Sequence, residues 1–432
     1  MNKNSLKWLT LAALPLVFSA CNKDDDDNQP STQEKTITIE NVLQARSLVE
    51  SGTYAEDGAS PLIMPGQSVS FRFSAAIGQT VTFASMYGWS NDLFFAPANP
   101  GIALYDKDKK PIEGDVSDQV KLWDNGTRIN QSPGSAVNHP GDAEQKPVTE
   151  VKDKDAQGHT YLAASSLVQA TLKYEGGSYF TLTLKNISGG TANETPLSPG
   201  LWAVSYIAGG SPLNAAPLYA SGKPTANGLT ALAETGDNSE LYSYIKDNTG
   251  TFTPLSPVLV VVYNGISNPL YQLGEKDAGK GLKNLAQQGD ASVLSKALQE
   301  TDGVKQVYVL AATGSTVLLP AVGDQPGSSV SQQLKLDKGD RLALATMYGF
   351  SNDWFFATAG DGVDPAQTGD ISDSIKLFDD GTAVDQYPGA GNEQFNLGGS
   401  VTTESKSIGE VPNPNAFTTL PAVKDMIKVT IR

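Results

Sequence analysis

An aspartate framed by aromatic residues occurs twice in this chain. Asp92 stands in S-M-Y-G-W-S-N-D-L-F-F (85–95) and Asp353 in T-M-Y-G-F-S-N-D-W-F-F (346–356). A second acidic turn follows each, because D-V-S-D-Q-V-K-L-W-D-N-G-T-R-I-N-Q-S-P-G (115–134) aligns without gaps on D-I-S-D-S-I-K-L-F-D-D-G-T-A-V-D-Q-Y-P-G (370–389). Carboxylates beside glycine-permitted turns suit a hard cation such as calcium, which takes about six to eight oxygens from carboxylates, carbonyls and water. If the S-N-D and D-D-G-T loops share one end of the fold, Asp353 and Asp379 converge on one ion. Asp380 and Asp385 then raise the carboxylate count, and Phe350, Trp354, Phe355 and Phe356 fill the core beneath. The same residues also have a purely structural reading. Asp and Asn close turns by bonding their own backbone, and D-N-G-T or D-D-G-T is a hairpin signal by itself. Sequence leaves both readings open.

Other chemistry is poorly supplied. The two histidines, His139 and His159, lie in polar, loop-like stretches without repeat counterparts, and Cys21 is the only cysteine. No G-x-S-x-G elbow, Walker loop or H-E-x-x-H occurs. Acidic pairs abound, but spacing alone identifies no glycosidase dyad. The chain is therefore expected to be non-catalytic, with a secreted hydrolase as the lesser alternative. Its formal charge of −16 argues against nucleic acid and against adsorption to anionic membranes, and suits cation binding.

The elements that must position these loops read as strands. T-I-T-I-E (36–40), S-V-S-F-R-F (68–73), T-V-T-F-A-S (80–85), F-T-L-T-L-K (180–185) and I-K-V-T-I-R (427–432) alternate with period two and are separated by turn residues. That pattern predicts antiparallel sandwich strands and an all-β fold. The repeat predicts two tandem units. One spans 36–176 and closes with V-Q-A-T-L-K-Y (168–174); the other spans 177–432 and opens at F-T-L-T-L-K after the Glu175-Gly176-Gly177 turn. A further duplication appears assigned to the second unit. P-L-Y-A-S-G leads to G-L-T-A-L-A-E-T-G-D-N-S-E-L (228–241), and P-L-Y-Q-L-G leads to G-L-K-N-L-A-Q-Q-G-D-A-S-V-L (281–294). Each predicts a short helix ended by Gly and a second helix opened near Asp and Ser, together plugging the ends of a sandwich. On this reading the first unit is a shortened copy.

The N-terminus predicts export. Lys3 and Lys7 precede the apolar run Trp8–Phe18, and Ser19-Ala20 precede Cys21, so residues 1–20 read as a signal peptide. The junction resembles a bacterial lipoprotein processing site, with Cys21 as the lipid-bearing first residue of the mature chain. Residues 21–35 then read as an acidic flexible tether, and Lys23-Asp24-Asp25 resembles the export tag of surface-exposed lipoproteins. The expectation is an outer-membrane lipoprotein displayed outside the cell, held to the membrane by lipid alone.

Taken together, F-T-L-T-L-K-N-I-S, T-P-L-S-P, P-L-Y-A-S-G, G-L-x-x-L-A-E-x-G-D, A-T-M-Y-G-F-S-N-D-W-F-F and L-F-D-D-G-T resemble the spondin N-terminal domain, most fully over 178–432. The resemblance implies a C2-like antiparallel β-sandwich, two in tandem here, with short helices inserted in the second. It also implies calcium bound by the aspartates of S-x-D-x-F and D-x-G-T, which are Asp92 and Asp124 in the first copy and Asp353 and Asp379 in the second. The family's third, acidic position is Arg128 and Ala383 here, leaving Asn130 and Asp385, two residues on, as substitutes. The function implied is a binding or adhesion module for an extracellular protein or glycan. The alternative is a calcium-dependent binder of lipid or carbohydrate.

Overall fold

A computed structural model describes residues 32–57 and 60–432, and the short alternating runs form strands there. In chain order the first are β1 (Gln33–Asn41), β2 (Leu48–Tyr54), β3 (Ser68–Ser74), β4 (Thr80–Met86), β5 (Leu93–Pro97) and β6 (Ile102–Ala103). Next come β7 (Gly114–Asp115), β8 (Val120–Asp124), β9 (Thr149–Val151), β10 (Val168–Gly176), β11 (Tyr179–Asn186) and β12 (Gly200–Ser205). A ribbon of β13 (Ile207–Ala208) and β14 (Ser211–Pro212) leads to helices α1 (Leu229–Thr235) and α2 (Ser239–Asp247). Then follow β15 (Val258–Tyr263), α3 (Leu282–Gln288), α4 (Ser292–Gln299), β16 (Val304–Leu310), β17 (Ser329–Leu336) and β18 (Arg341–Met347). The chain ends with β19 (Trp354–Thr358), β20 (Gly369–Asp370), β21 (Ile375–Asp379), β22 (Gly409–Glu410) and β23 (Ile427–Ile431). The protein is thus mostly β, its sheets antiparallel, with four short helices. Among the described residues no helix is long and apolar enough to cross a membrane. The expected signal peptide, Cys21 and most of the tether lie outside the described residues.

The strands pair in two matching sets. In one, the sheet β2-β12-β4-β5-β8-β9 accompanies the sheet β3-β11-β10-β7; in the other, β16-β15-β18-β19-β21-β22 accompanies β17-β1-β23-β20. Read position by position the orders correspond, with β12 for β15, β5 for β19, β8 for β21 and β11 for β1. The equivalence extends to single hydrogen bonds. Asn186 Nδ2 donates to the Ile63 and Thr195 carbonyls at 2.9 and 2.7 Å. Asn41 Nδ2 donates to the Leu318 and Thr253 carbonyls at 2.9 and 3.0 Å.

This pairing corrects the expected division at residue 176. β11, placed by sequence at the opening of the second unit, instead joins β10 through the Gly176-Gly177 turn and lies between β10 and β3. A hairpin closes a very short loop, so it wins that slot over the more distant β1. β1 fills the equivalent slot in the other set, between β17 and β23, with Ile37 and Ile39 fully buried. The expected tether over 21–35 does not extend through its last three residues, because Gln33, Glu34 and Lys35 already pair with Leu336, Lys335 and Leu334. The set containing β2 to β12 is therefore inserted into the set that begins with β1 and resumes at β15. The outgoing and returning segments run side by side: Leu48 N–H donates to Asn248 O, Gly250 N–H to Leu48 O and Arg46 N–H to Thr251 O, each at 3.0 Å.

The helices are also redistributed, so the first copy is not shortened. Leu229, Leu232, Leu241 and Ile245 of α1 and α2 pack against Ala84, Phe94, Trp123 and Leu201 of the first set. Leu282, Leu285, Leu294 and Leu298 of α3 and α4 pack against Val261, Ala343 and Phe355 of the second. They cover an outer sheet face rather than an end. The inner-facing residues, Phe83, Phe95, Leu122 and Val204, share another core with Phe71, Leu172 and Leu182 of the smaller sheet. Burial on both faces explains why β5, β12 and β15 carry apolar side chains on both sides instead of alternating. α1 and α3 each end at a glycine with positive φ, Gly236 and Gly289, as their sequences predicted.

Candidate metal centre

Each S-N-D motif is the turn between two paired strands, β4–β5 and β18–β19. Ser90 Oγ donates to the Tyr87 carbonyl at 2.7 Å and accepts the Leu93 N–H at 3.0 Å. Ser351 does the same with Tyr348 and Trp354, at 2.8 and 3.0 Å. This turn aims the next aspartate at the loop following β8 or β21. Asp92 Oδ2 accepts the Thr127 N–H (2.8 Å), the Thr127 hydroxyl (3.1 Å) and the Arg128 N–H (2.8 Å). Asp353 Oδ2 accepts the Thr382 N–H (2.7 Å), the Thr382 hydroxyl (3.1 Å) and the Ala383 N–H (2.8 Å). Asp124 and Asp379 each accept the N–H of Gly126 or Gly381 at 2.7 Å. Gly381 is required there. Its φ is +68°, and a Cβ would meet the Lys406 carbonyl at 2.7 Å.

One oxygen of each aspartate is thus a turn-former, and the other is not. Asp92 Oδ1 and Asp353 Oδ1 are buried without a hydrogen-bond partner. Buried polar atoms are nearly always paired, so these two call for an explanation.

The two loops then part chemically at three positions. In the first, Asn130 Nδ2 donates to Asp124 Oδ2 at 2.8 Å, Asn125 Nδ2 donates to the Thr127 hydroxyl at 3.0 Å, and Arg128 pairs with Glu234 of α1 at 2.8 Å. In the second, the equivalents are Asp385, Asp380 and the neutral pair Ala383 and Gln287, where Gln287 Nε2 donates to the Thr382 hydroxyl at 2.9 Å. The second loop therefore carries two more carboxylates and no inserted cation. Asp380 Oδ1, Asp385 Oδ1 and Glu404 Oε1 join Asp353 Oδ1 as buried oxygens without partners. Glu404 was not singled out by sequence, although E-S-K (404–406) answers E-Q-K (144–146) in the first copy. Each glutamate pairs with its lysine, Glu404 with Lys406 at 2.7 Å and Glu144 with Lys146 at 2.5 Å.

The electrostatics follow from this crowding. Burial, then the Asp379 charge, raises the Asp353 carboxyl to about 7. Burial, then Asp379 and Asp353, raises Asp385 to about 8. Asp380 rises to about 7 through burial and then Asp277, and Asp379 rises through burial despite its bond from Gly381. Asp92 also reaches about 7, mainly through burial, and Asp124 is raised for the same reason. The structure thus brings Asp353, Asp379 and Asp385 into one cluster and Asp92, Asp124 and Asn130 into another. Among the described residues, no group of three or more His, Cys, Asp or Glu side chains is placed to hold a metal ion. The donor set of the second cluster, all oxygen and mostly carboxylate, nevertheless matches a hard divalent cation. The first does not, because an amide already satisfies Asp124 and a guanidinium stands beside it.

No family model and no curated protein matches this chain.

Proposed function

We propose that this is a non-catalytic, lipid-anchored binding or adhesion protein of the cell envelope, built from two spondin-like β-sandwiches, one nested in the other. The second sandwich holds calcium through Asp353, Asp379 and Asp385, with Asp380 and Glu404 beside them. Anchoring through Cys21, outer-membrane location and display at the surface are supported by the N-terminal sequence. The spondin-like assignment is supported by the motif series from F-T-L-T-L-K-N to L-F-D-D-G-T. The single observation that carries the calcium assignment is the exchange of Asn130 for Asp385. Where the first loop satisfies Asp124 with an amide, the second sets a carboxylate against a carboxylate; both copies leave buried oxygens unpartnered, but in the second they belong to three aspartates and a glutamate with no arginine beside them. Calcium would supply the missing countercharge and tie the S-N-D turn to the segment after β21, fixing the end of the sandwich for a partner. We assign no ion to Asp92, Asp124 and Asn130, since Arg128 already provides positive charge there.

Calcium calorimetry on the intact chain tests this. The expected result is one ion per chain, lost in Asp385→Asn and retained in Asp92→Asn. Absence of binding, or an ion lost with Asp92→Asn, overturns the assignment. Surface display is checked separately by external protease on intact cells carrying wild type or Cys21→Ala.

A further inference from the structure

The two sandwiches differ in a second place, the cleft between the S-N-D turn, the T-P-L-S-P segment and the end of the first helix of each pair. In the second sandwich the chain closes this cleft itself. Ala383 bridges to Thr403 as Arg128 bridges to Ala143, but the loop between the paired residues is five residues longer in the second. The extra length forms a turn at Phe395–Leu397 beside α3. Asn396 Nδ2 donates to the Gly349 carbonyl at 2.5 Å, and Leu397 packs against the core containing Phe350.

Among the described residues the first sandwich has no such turn, and its cleft stands open. It encloses about 570 Å³ and is lined by Met86, Gly88, Trp89, His139, Pro196 and Glu234, with Asp237 at its edge. Trp89 is the counterpart of buried Phe350, yet it is partly exposed. Glu234 is 7 % exposed, and its Oε1 has no partner while Oε2 holds Arg128.

We propose that this cleft docks a turn of a partner protein that supplies from outside what Asn396 and Leu397 supply from within. The partner's turn carries a side-chain amide donor for the Gly88 carbonyl and an aliphatic side chain against Met86 and Trp89. A lysine or arginine beside them meets Glu234 and Asp237, an apolar slot with an acidic wall favouring a cation that can also lie over the indole. The inference rests on the reading of the chain as a binding protein and is independent of calcium, which belongs to the other sandwich.

The test is fluorescence anisotropy of a labelled, end-blocked Gly-Asn-Leu-Lys-Gly peptide titrated with the intact chain, with and without chelator. Saturable binding is expected below about 1 mM, weakened about tenfold or more by Trp89→Ala and by Asp237→Lys. Replacing the probe's leucine by glycine should weaken binding similarly. Exchanging residues 129–142 for 384–402 should plug the cleft and abolish binding, with thermal melting confirming that each variant folds. Asp237 is exposed, so its variant keeps the test valid even if Trp89→Ala does not fold. No saturable binding overturns the proposal. So does binding that survives the loop exchange, or saturable binding of neutral oligosaccharides in place of the peptide. Calcium calorimetry on the same sample separates the two ideas, because chelator should leave the peptide titration unchanged.

Discussion

Asp385 and Asn130 hold the same place in two copies of one loop, and the change from amide to acid converts a satisfied pair into a charge problem. The raised carboxyls of Asp353 and Asp385, at about 7 and about 8, fix the pH behaviour. A folded-state pKa above its unfolded value means that the folded protein binds more protons. Their contribution is therefore favourable below the unfolded carboxylate range and is lost as pH rises through the folded values. Without calcium, the melting temperature should fall between about pH 4 and pH 8. Calcium should reverse most of that fall, and its binding should release protons, measurable by calorimetry in buffers of different ionisation enthalpy. Asp385→Asn should flatten the profile. A calcium-free melting temperature that does not change with pH over this range counts against the cluster. In the first copy, Arg128→Ala leaves Glu234 buried without its partner and should cost about 3 kcal/mol, the scale for breaking a buried pair. Adding Glu234→Gln reproduces the second copy's Ala383 and Gln287, and should recover most of the loss in denaturant titrations.

β1 is the element whose position matters most, because it is a middle strand of a sheet whose neighbours it meets only across roughly three hundred (β17) to four hundred (β23) residues of chain. Ile39→Ala removes a fully buried side chain and should destabilise the set of strands containing β1 by about 2–4 kcal/mol. Hydrogen exchange should then quicken in β17 and β23 and stay unchanged in β3 and β10. Equal acceleration in all four would mean that the two sets of strands unfold as one. The T-I-T-I-E-N of β1 and the T-L-T-L-K-N of β11 show why sequence misplaced it. Alternation states which face a strand buries, but not which edge it joins. The helices were legible as helices from their leucine spacing and terminal glycines. Their place over an outer sheet face was not, because that face is apolar only through the unbroken burial of β5, β12 and β15.

At the scale of the whole molecule, one set of paired strands is an insertion in the other. The junction segments are bonded to each other at Arg46 and Thr251, so the cut ends lie together, as inserted domains require. Joining Arg46 to Thr251 through a short glycine–serine link should leave a second set of strands that folds and shows the calcium heat proposed for it. A chain without a cooperative melt would mean that it depends on the first. Some dependence is built in: Gln79 Nε2 donates to the Gly389 carbonyl at 3.0 Å, Asn392 Oδ1 accepts the Ile77 N–H at 2.6 Å, and the Asn392 N–H donates to Ser178 Oγ at 2.8 Å. The excised form should therefore melt several degrees lower.

The chain's own order of residues determined the strands, the duplicated loop and the acidic positions that matter, because alternation, turn chemistry and repetition are local and survive without a fold. A signal was present even for the nesting: T-P-L-S-P occurs at both 195–199 and 253–257, once for each set of strands. Only the tertiary structure decided which strand completes which sheet, which helix pair belongs to which copy, and that Glu404, Glu234 and Gln287 stand beside the aspartates. Those are contacts between distant segments, chosen by which hairpin closes first and which apolar face remains to be covered.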